Sequence, residues 1–175
     1  MSQRDSGYAR KERDLYETPE WATDALVPHL RQLGAIWEPA AASGKMVRVL
    51  ERTGSYVLGS DIDDGCNFLE SGLPVESQWD AIITNPPYVH ATEFISHAIC
   101  LMAPRGLVAM LLRTDFDHAR TRARLFSDCT VFAKKIVLTK RIQWFDDSTG
   151  SPSFNHAWFI WDYQHQGAPT LAYGP

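Results

Sequence analysis

The sequence predicts an α/β protein built on one mostly parallel sheet, and three features of the chain indicate this fold. Short apolar runs typical of buried strands recur along the chain, and helical apolar spacing separates most of them. A turn of small residues follows the first run, and a rigid proline turn follows the third. The predicted strands are 34–37, 56–62, 79–84, 106–112, 131–138 and 156–161. The predicted helices are 21–33 (kinked or split at Pro28), a helix from residue 46, 92–102 and 115–126.

The size and composition of the chain favour one compact domain. With 175 residues, of which 45% are hydrophobic, the chain can bury a substantial core, which we assign to residues 15–163. The polar segment 1–14 is expected to be a mobile arm, and 164–175 is left as an unassigned tail. We expect no membrane span and no signal peptide. Three widely spaced cysteines without a CxxC pair predict a reducing, cytoplasmic location and no metal site.

The most informative stretch is the decapeptide 79–88, in which an apolar, β-branched run ends at two prolines. The prolines remove two backbone donors and fix φ, so a strand cannot continue through them. The resulting turn lies at the carboxyl end of a strand, where open α/β sheets place their ligands. The Asn85 side chain and the Pro86 carbonyl offer two acceptors for a planar NH2 group, and Tyr88 offers a ring on which a base can stack.

This Asn-Pro-Pro-Tyr sequence after an apolar strand resembles motif IV of the amino-group methyltransferases that use S-adenosylmethionine. The resemblance implies a Rossmann-like class I methyltransferase fold, with a seven-stranded sheet whose last strand is antiparallel and helices on both faces. It implies S-adenosylmethionine as the cofactor and no metal. It also implies catalytic roles for the motif residues Asn85, Pro86, Pro87 and Tyr88.

The turn after the first predicted strand, residues 38–44, has the pattern of a nucleotide site. A strand, a small-residue turn and a helix allow close backbone approach to a ligand, and Glu38 can accept hydrogen bonds from an amino group. The family form is acid-Pro-Ala-x-Gly-x-Gly, so Ala42 stands where the first glycine is usual and only Gly44 remains. The Cβ of Ala42 makes a positive φ costly, from which we expect a lowered cofactor affinity. Asp61 follows Glu38 by 23 residues, close to the roughly 20 that precede a ribose-binding acid.

Two further stretches resemble cofactor motifs of the same family. Tyr-x-Thr-Pro at 16–19 resembles motif X, which touches the methionine end of the cofactor, although an N-cap at Thr18 and Pro19 at the first helical position explain it without a ligand. Cys-Asn-Phe-Leu at 66–69 resembles the acid-Phe-Leu motif; Phe68 either stacks on adenine or packs in the core. The predicted cofactor contacts are Tyr16, Thr18, Pro19, Glu38, Pro39, Ala40, Gly44, Asp61, Ile62, Asn67, Phe68 and Asn85.

The segment between the last two predicted strands, 140–154, begins with basic and aromatic residues and resembles motif VIII. In that motif an aromatic ring stacks on the opposite face of the target base from the motif IV tyrosine. Trp144 is the first candidate for this ring and Phe145 the second; a hairpin tip that packs onto the sheet is the alternative. Together with Tyr88, these residues and Arg141 are the predicted substrate contacts. The net charge of −4 argues against wholesale wrapping of nucleic acid, so basic residues are expected to act locally.

The resemblance implies methyl transfer to the exocyclic amino group of an adenine flipped out of DNA. DNA is favoured over RNA because motif X is characteristic of the DNA enzymes. The sequence leaves no stretch for a separate target-recognition domain, as in a small phage or prophage enzyme. An RNA adenine, a protein glutamine amide and a catalytically weak cofactor-binding relic remain alternatives.

Overall fold

The computed structural model describes residues 17–74, 78–144 and 154–175 of the chain. Within these ranges the strands are β1 (Ala35–Glu38), β2 (Tyr56–Gly59), β3 (Ala81–Thr84), β4 (Leu107–Arg113), β5 (Phe132–Leu138), β6 (His156–Asp162) and β7 (Thr170–Gly174). The α-helices are α1 (Glu20–Asp24), α2 (Lys45–Glu51) and α3 (Ala91–Met102). Short 3₁₀ helices lie at Val27–His29, Ile62–Asp64, Phe68–Glu70, Tyr88–His90, Phe116–His118 and Arg120–Leu125. The predicted arm at 1–14 lies outside the described residues.

These strands form one sheet in the order β2-β1-β3-β4-β6-β5-β7. β6 is antiparallel to both of its neighbours, and the other neighbouring strands are parallel. The predicted seven-stranded, mostly parallel α/β sheet is therefore confirmed. Its antiparallel strand is the closing strand predicted at 156–161.

The seventh strand comes from the segment that the sequence analysis left as a tail. β7 pairs in parallel with β5 at the outer edge of the sheet, so the sheet extends past the predicted domain end at residue 163. Sequence pattern does not identify this strand because its large apolar side chains face outward: Leu171 is 59% and Tyr173 67% exposed, whereas the small Ala172 packs against the core. Close backbone approach fixes its end, because a Cβ on Gly174 would lie 3.2 Å from that of Ala25.

Two apolar cores cover the two faces of the sheet. One contains the inward side chains of α1 and α2, including Ala22 and Leu50, packed on β1, β3 and β4. The other contains α3 residues such as Ile95 together with Phe68 and Trp37. β1 and β3 are buried throughout, as expected of central parallel strands covered on both faces. The predicted helices on both faces are confirmed.

The first predicted helix is split, as its proline indicated. α1 ends at Asp24, and Pro28 lies in the 3₁₀ helix that follows. The predicted N-cap at Thr18 is wrong: Pro19 is the N-cap residue, and no side chain caps the helix. Thr18 is instead buried.

The helix predicted at 115–126 is also wrong, since this segment forms two 3₁₀ helices separated by an extended Ala119. The Arg122 guanidinium donates to the Phe116 carbonyl at 2.6 Å and stacks on the Phe116 ring. The Asp117 carboxylate pairs with the Lys135 ammonium of β5. These polar contacts fold the segment back on itself in place of the predicted α-helix.

The carboxyl edge of the sheet brings the predicted motifs together. β1 lies between β2 and β3, so the ends of these three strands, including Glu38 and Thr84, are adjacent. On the other side of β3, Arg113 ends β4 and pairs with His156, the first residue of antiparallel β6. In the described part of the chain, no helix is long and apolar enough to cross a membrane.

Candidate active site

The Asn-Pro-Pro-Tyr turn begins directly at the end of β3. Thr84 is buried, and the chain then turns through Pro86 and Pro87 into the 3₁₀ helix that Tyr88 begins. The His90 N–H donates to the Pro87 carbonyl at 2.9 Å and closes this helical turn. Asn85 and Tyr88 are both half-buried. The predicted rigid turn at the carboxyl end of a strand is therefore present.

Glu38 links this turn to the end of β1. The Thr84 hydroxyl donates to Glu38 Oε1 at 3.1 Å, and the Asn85 backbone N–H also donates to the carboxyl group. Glu38 is 1% exposed, and in the described chain its Oε2 is buried without a hydrogen-bond partner. Burial is the largest cause that raises the pKa of Glu38 well above its usual value, and the nearby Asp61 charge adds to it. Glu38 is therefore a buried, hydrogen-bonded acid with a raised pKa, and its Oε2 has no hydrogen-bond partner among the described residues.

The turn between β1 and α2 is held by Asp61. The Ala42 N–H donates to Asp61 Oδ2 at 2.9 Å, while Asp61 Oδ1 accepts from the Asp63 N–H at 3.1 Å. Ala42 has φ of +45°, the left-handed region that the family glycine would occupy without strain. The turn thus keeps the conformation of the glycine form despite the Cβ of Ala42. The cost of the positive φ at Ala42 therefore lowers the stability of the fold and not the affinity for a ligand, because the turn already has this shape without a ligand.

A narrow cavity opens between this turn and the Asn-Pro-Pro-Tyr turn. Its lining includes residues of three predicted motifs, and the full set is Glu17, Thr18, Glu38, Ala40, Ala41, Ala42, Ser43, Lys45, Met46 and Asn85. The Lys45 ammonium forms an ion pair with the Glu17 carboxylate beside the cavity. Motif spacing did not single out either of these two charged residues. The structure therefore brings Thr18, Glu38, Ala40 and Asn85 together at one cavity, and their contact with a cofactor stays a prediction.

The other predicted cofactor residues that the structure describes do not line this cavity. Ile62 follows Asp61 and is 61% exposed, so its side chain is accessible at the end of β2. The Asn67 side-chain oxygen accepts from the Leu69 N–H at 3.2 Å and caps a 3₁₀ helix. Phe68 is 2% exposed and packs against Trp37, so the structure favours its interpretation as a core residue. Tyr16 lies outside the described residues, so its contact stays a prediction.

Three rings meet beside the turn. Tyr88 and His156 are nearly parallel, with centroids 6.0 Å apart and planes at 24°, whereas Trp144 meets His156 edge-on at 85°. These two angles leave the Tyr88 and Trp144 planes at least 61° apart. In this arrangement Trp144 and Tyr88 do not form parallel walls around a flat base. The predicted stacking role of Trp144 therefore requires its ring to turn, and Phe145 lies outside the described residues.

His156 is a site residue that the sequence analysis missed. It is 1% exposed, and its Nδ1 is buried without a hydrogen-bond partner in the described ranges. Burial, and to a smaller extent the nearby Arg113 charge, lower its pKa to about 4, so the ring is neutral near pH 7. The only sequence signal was its place as the first residue of the antiparallel strand, which starts at the edge where the other strands end.

Basic residues at this edge have different roles. Arg113 lies over the Phe154 ring, 4.1 Å from its centroid, and pairs with Asp115. Arg141 donates from Nε to Asn155 Oδ1 at 2.9 Å and is exposed, which keeps its predicted substrate contact sterically possible. Lys135 is committed to Asp117, so it is a structural residue.

A wider surface hollow lies at the opposite edge of the sheet. It is lined by the segment 126–132 before β5 and by Gly167 and Pro169 before β7. These residues precede the amino ends of their strands, so this hollow is separated from the predicted motifs by the length of the sheet. In the described part of the chain, no three His, Cys, Asp or Glu side chains are arranged to hold a metal ion.

No protein-family model matches the sequence, and no curated protein matches it. Solved structures do match the fold. A protein assigned to the class I S-adenosylmethionine-dependent methyltransferases of Listeria monocytogenes aligns with a TM-score of 0.57 at 13% identity, over 88% of this chain and 61% of that protein. A protein assigned as the modification subunit of a type I restriction enzyme of Vibrio vulnificus aligns with a TM-score of 0.60 at 14% identity, over 90% of this chain and 46% of the subunit.

A third match is an N1-methyltransferase of Burkholderia thailandensis that acts on 1,6-didemethyltoxoflavin, solved with S-adenosylhomocysteine bound. It aligns with a TM-score of 0.51 at 12% identity, over 81% of this chain and 76% of that enzyme. The chain spans less than two thirds of the length of the first two matched proteins. At these identities the comparisons establish the fold: the chain has the Rossmann-like fold of the class I methyltransferases.

Proposed function

We propose that the protein is an S-adenosylmethionine-dependent methyltransferase that acts on the exocyclic amino group of adenine in DNA. One observation carries the proposal. The Glu38 carboxyl group hydrogen-bonds Thr84 and the backbone of Asn85, so the cofactor-type turn and the Asn-Pro-Pro-Tyr turn face one cavity. A methyl donor and an amine acceptor must be held in contact for direct transfer.

The residues of the first turn fit the cofactor. Glu38 Oε2 is a buried acceptor at the cavity wall without a partner in the described residues, which suits an amino group. Asp61 is held by two backbone N–H groups with lone pairs remaining for ribose hydroxyls, and the exposed Ile62 offers an apolar surface for adenine. When bound, the cofactor supplies a methyl group activated by its sulfonium centre.

The Asn-Pro-Pro-Tyr turn supplies the acceptor chemistry. An aromatic amine is a poor nucleophile because its lone pair is delocalised into the ring. The side-chain oxygen of Asn85 and the carbonyl of Pro86 are held on a rigid turn, where they stabilise the positive charge that develops on the amine nitrogen. The Tyr88 ring supports the flipped base by stacking. The prolines restrict the backbone of the turn and thereby the direction of the Pro86 carbonyl, so little backbone reorganisation is needed.

Local positive charge supports a nucleic-acid substrate. Arg113 and Arg141 are held at the same sheet edge as Asn85 by contacts with Phe154 and Asn155. Guanidinium groups in such positions bind phosphates. The fold shared with the modification subunit of a restriction enzyme supports DNA as the first substrate to test. RNA adenine and a protein glutamine amide are the competing acceptors.

The decisive experiment incubates the protein with methyl-labelled S-adenosylmethionine and, separately, unmodified DNA, RNA or ribosomal protein, followed by mass spectrometry of the products. We expect N6-methyladenine in DNA. Asn85→Ala is expected to lower the transfer rate at least 100-fold, on the scale of removing one preorganised electrostatic contact, while calorimetry shows cofactor binding within about threefold of wild type. Gln164→Ala, an amide change at the opposite edge of the sheet, serves as the control and should leave both unchanged.

Each other outcome has a defined meaning. Label in RNA or in glutamine would change the proposed substrate but would leave methyl transfer to an amino group as the reaction. A methyl-transfer rate equal to that of wild type in Asn85→Ala would show that Asn85 has no catalytic role. Cofactor binding with no transfer to any acceptor would favour a binding relic.

A further inference from the structure

His156 is buried beside the Asn-Pro-Pro-Tyr turn, and the proposed reaction leaves it without a role. It begins β6, opposite Arg113 at the end of β4, and is 1% exposed. Its Nδ1 is buried without a hydrogen-bond partner in the described parts of the chain. A buried polar atom without a partner destabilises a fold. Packing alone does not account for this cost, since a phenylalanine ring would occupy the same position without it.

The position of the imidazole relative to Tyr88 indicates what can reach Nδ1. The two rings are nearly parallel, with planes at 24° and centroids 6.0 Å apart. Because atoms in van der Waals contact lie roughly 3.5–4 Å apart, the two ring centres are also displaced sideways by about 4.5–5 Å. His156 therefore overlaps only the margin of the Tyr88 ring, and the imidazole does not cover the rest of that ring face.

A base that stacks on this face of Tyr88 lies beside the imidazole and roughly in its plane. Its edge then faces the edge of His156, which is the arrangement that an in-plane hydrogen bond between ring nitrogens requires. Adenine carries three ring nitrogens that accept hydrogen bonds, N1, N3 and N7. The exocyclic amine is a donor, for which Asn85 and Pro86 supply the proposed acceptors.

We propose that His156 is a base-contact residue: its Nδ1–H donates a hydrogen bond to a ring nitrogen of the adenine whose amine is methylated. The inference rests on the proposed function and deepens it, because it assigns recognition of the ring to a residue outside the Asn-Pro-Pro-Tyr motif. Asn85 and Pro86 bind the amine and Tyr88 supports the face, so the new contact fixes the edge of the base. Trp144, whose ring centroid lies 5.2 Å from that of His156, turns aside as the base enters.

The electrostatics of the site favour a neutral imidazole in this role. Burial, and to a smaller extent the Arg113 charge, lower the pKa of His156 to about 4, so the ring carries one N–H near pH 7. A neutral ring offers a donor without placing a positive charge beside the sulfonium and the amine nitrogen, where positive charge develops. A lysine or arginine at this position would offer a donor together with that unfavourable charge.

The test replaces single ring nitrogens of the acceptor by carbon. Random-sequence DNA pools are prepared with adenine, 1-deazaadenine, 3-deazaadenine or 7-deazaadenine, all of which keep the exocyclic amine. Methyl transfer from labelled S-adenosylmethionine gives kcat/KM for each pool. Wild type should lose about five- to tenfold on the analogue that lacks the contacted nitrogen, the scale of one neutral hydrogen bond. Any effect of that nitrogen on the reactivity of the amine is common to all protein variants, so comparison between variants isolates the contact.

Two substitutions of His156 divide the ring from the donor. His156→Phe keeps a ring beside Tyr88 and removes the N–H, so it should lose about five- to tenfold on adenine. It should show no additional loss on the analogue that lacks the contacted nitrogen. His156→Asn places an amide N–H near the position of Nδ1 and should keep the discrimination even where its overall rate is lower. His165→Phe is the matched control: His165 lies beyond the far end of β6, and the variant should behave as wild type.

The outcomes separate the two proposals. Equal discrimination among the pools by wild type and His156→Phe, or full activity of this variant on adenine, overturns the contact with the base. No label in adenine with wild type overturns the proposed function, and the base contact with it. Thermal unfolding and calorimetry with S-adenosylmethionine check that His156→Phe keeps its structure and its cofactor site. Should that variant fail to fold, His156→Asn decides the question, because loss of its discrimination also overturns the contact.

Discussion

Replacing Ala42 by glycine is expected to stabilise the protein, although the change removes a side chain. Ala42 has φ of +45° and an exposed side chain, so glycine relieves backbone strain without removing buried surface. A residue with a Cβ costs roughly 1–2 kcal/mol in the left-handed region. Glycine also makes the unfolded chain more flexible, which costs roughly 0.4–1 kcal/mol. The difference between the two ranges predicts a net stabilisation of up to about 1.6 kcal/mol, centred near about 0.8 kcal/mol.

For a chain of this length such a gain raises the melting temperature by about 1–4 °C. Thermal and urea unfolding should agree, because the Ala42 N–H keeps its bond to Asp61 in the variant. Ala41→Gly is the matched control: Ala41 is not at positive φ, and its Cβ packs near Gly59, so the change should destabilise the fold. Equal destabilisation by both glycine variants would refute the strain argument.

Two pH predictions have opposite signs. The pKa of Glu38 is raised in the fold, so its contribution to the free energy of unfolding is complete at acidic pH and is lost as pH rises through the folded pKa. Urea unfolding from pH 5 to 9 should therefore show the stability of wild type falling relative to that of Glu38→Gln. A parallel pH dependence of the two proteins would contradict a raised pKa of Glu38. Because the pKa of His156 is lowered to about 4, its contribution is complete above pH 6.5 and is lost as pH falls toward 4. His156→Phe, which keeps a ring beside Tyr88, should therefore lose less stability than wild type between pH 6.5 and 4, and an unchanged acid transition would contradict this origin.

The central strands were predictable because their burial is encoded locally. β1 and β3 are continuous apolar runs, and polar residues mark their ends: Glu38 ends β1, and Asn85 directly follows the last residue of β3. Parallel strands place such residues at one edge, so motif spacing alone brought the two turns together. β7 escaped prediction because its inward positions are the small residues Ala172 and Gly174, which give little hydrophobic signal, and it is defined by pairing with the open edge of β5.

The missed site residues depend on contacts between distant parts of the chain. Glu17 and Lys45 are 28 positions apart and meet only because α1 packs beside α2. His156 reaches Tyr88 only because β6 runs against its neighbours. The wrong helix at 115–126 has the same cause, since Lys135 from a later strand binds Asp117. Composition and spacing do not report such pairings.

The shared hydrogen bonds of Glu38 couple occupancy of one turn to the shape of the other. A positively charged molecule beside Glu38 opposes the rise in its pKa and favours the charged carboxylate, which accepts more strongly from the Asn85 backbone N–H. The backbone of Asn85, whose side chain receives the amine, would then be held most firmly when a sulfonium is in place. A neutral thioether product would relax the same bond, so the chain gains a built-in preference for meeting its acceptor after the methyl donor and releasing it after transfer.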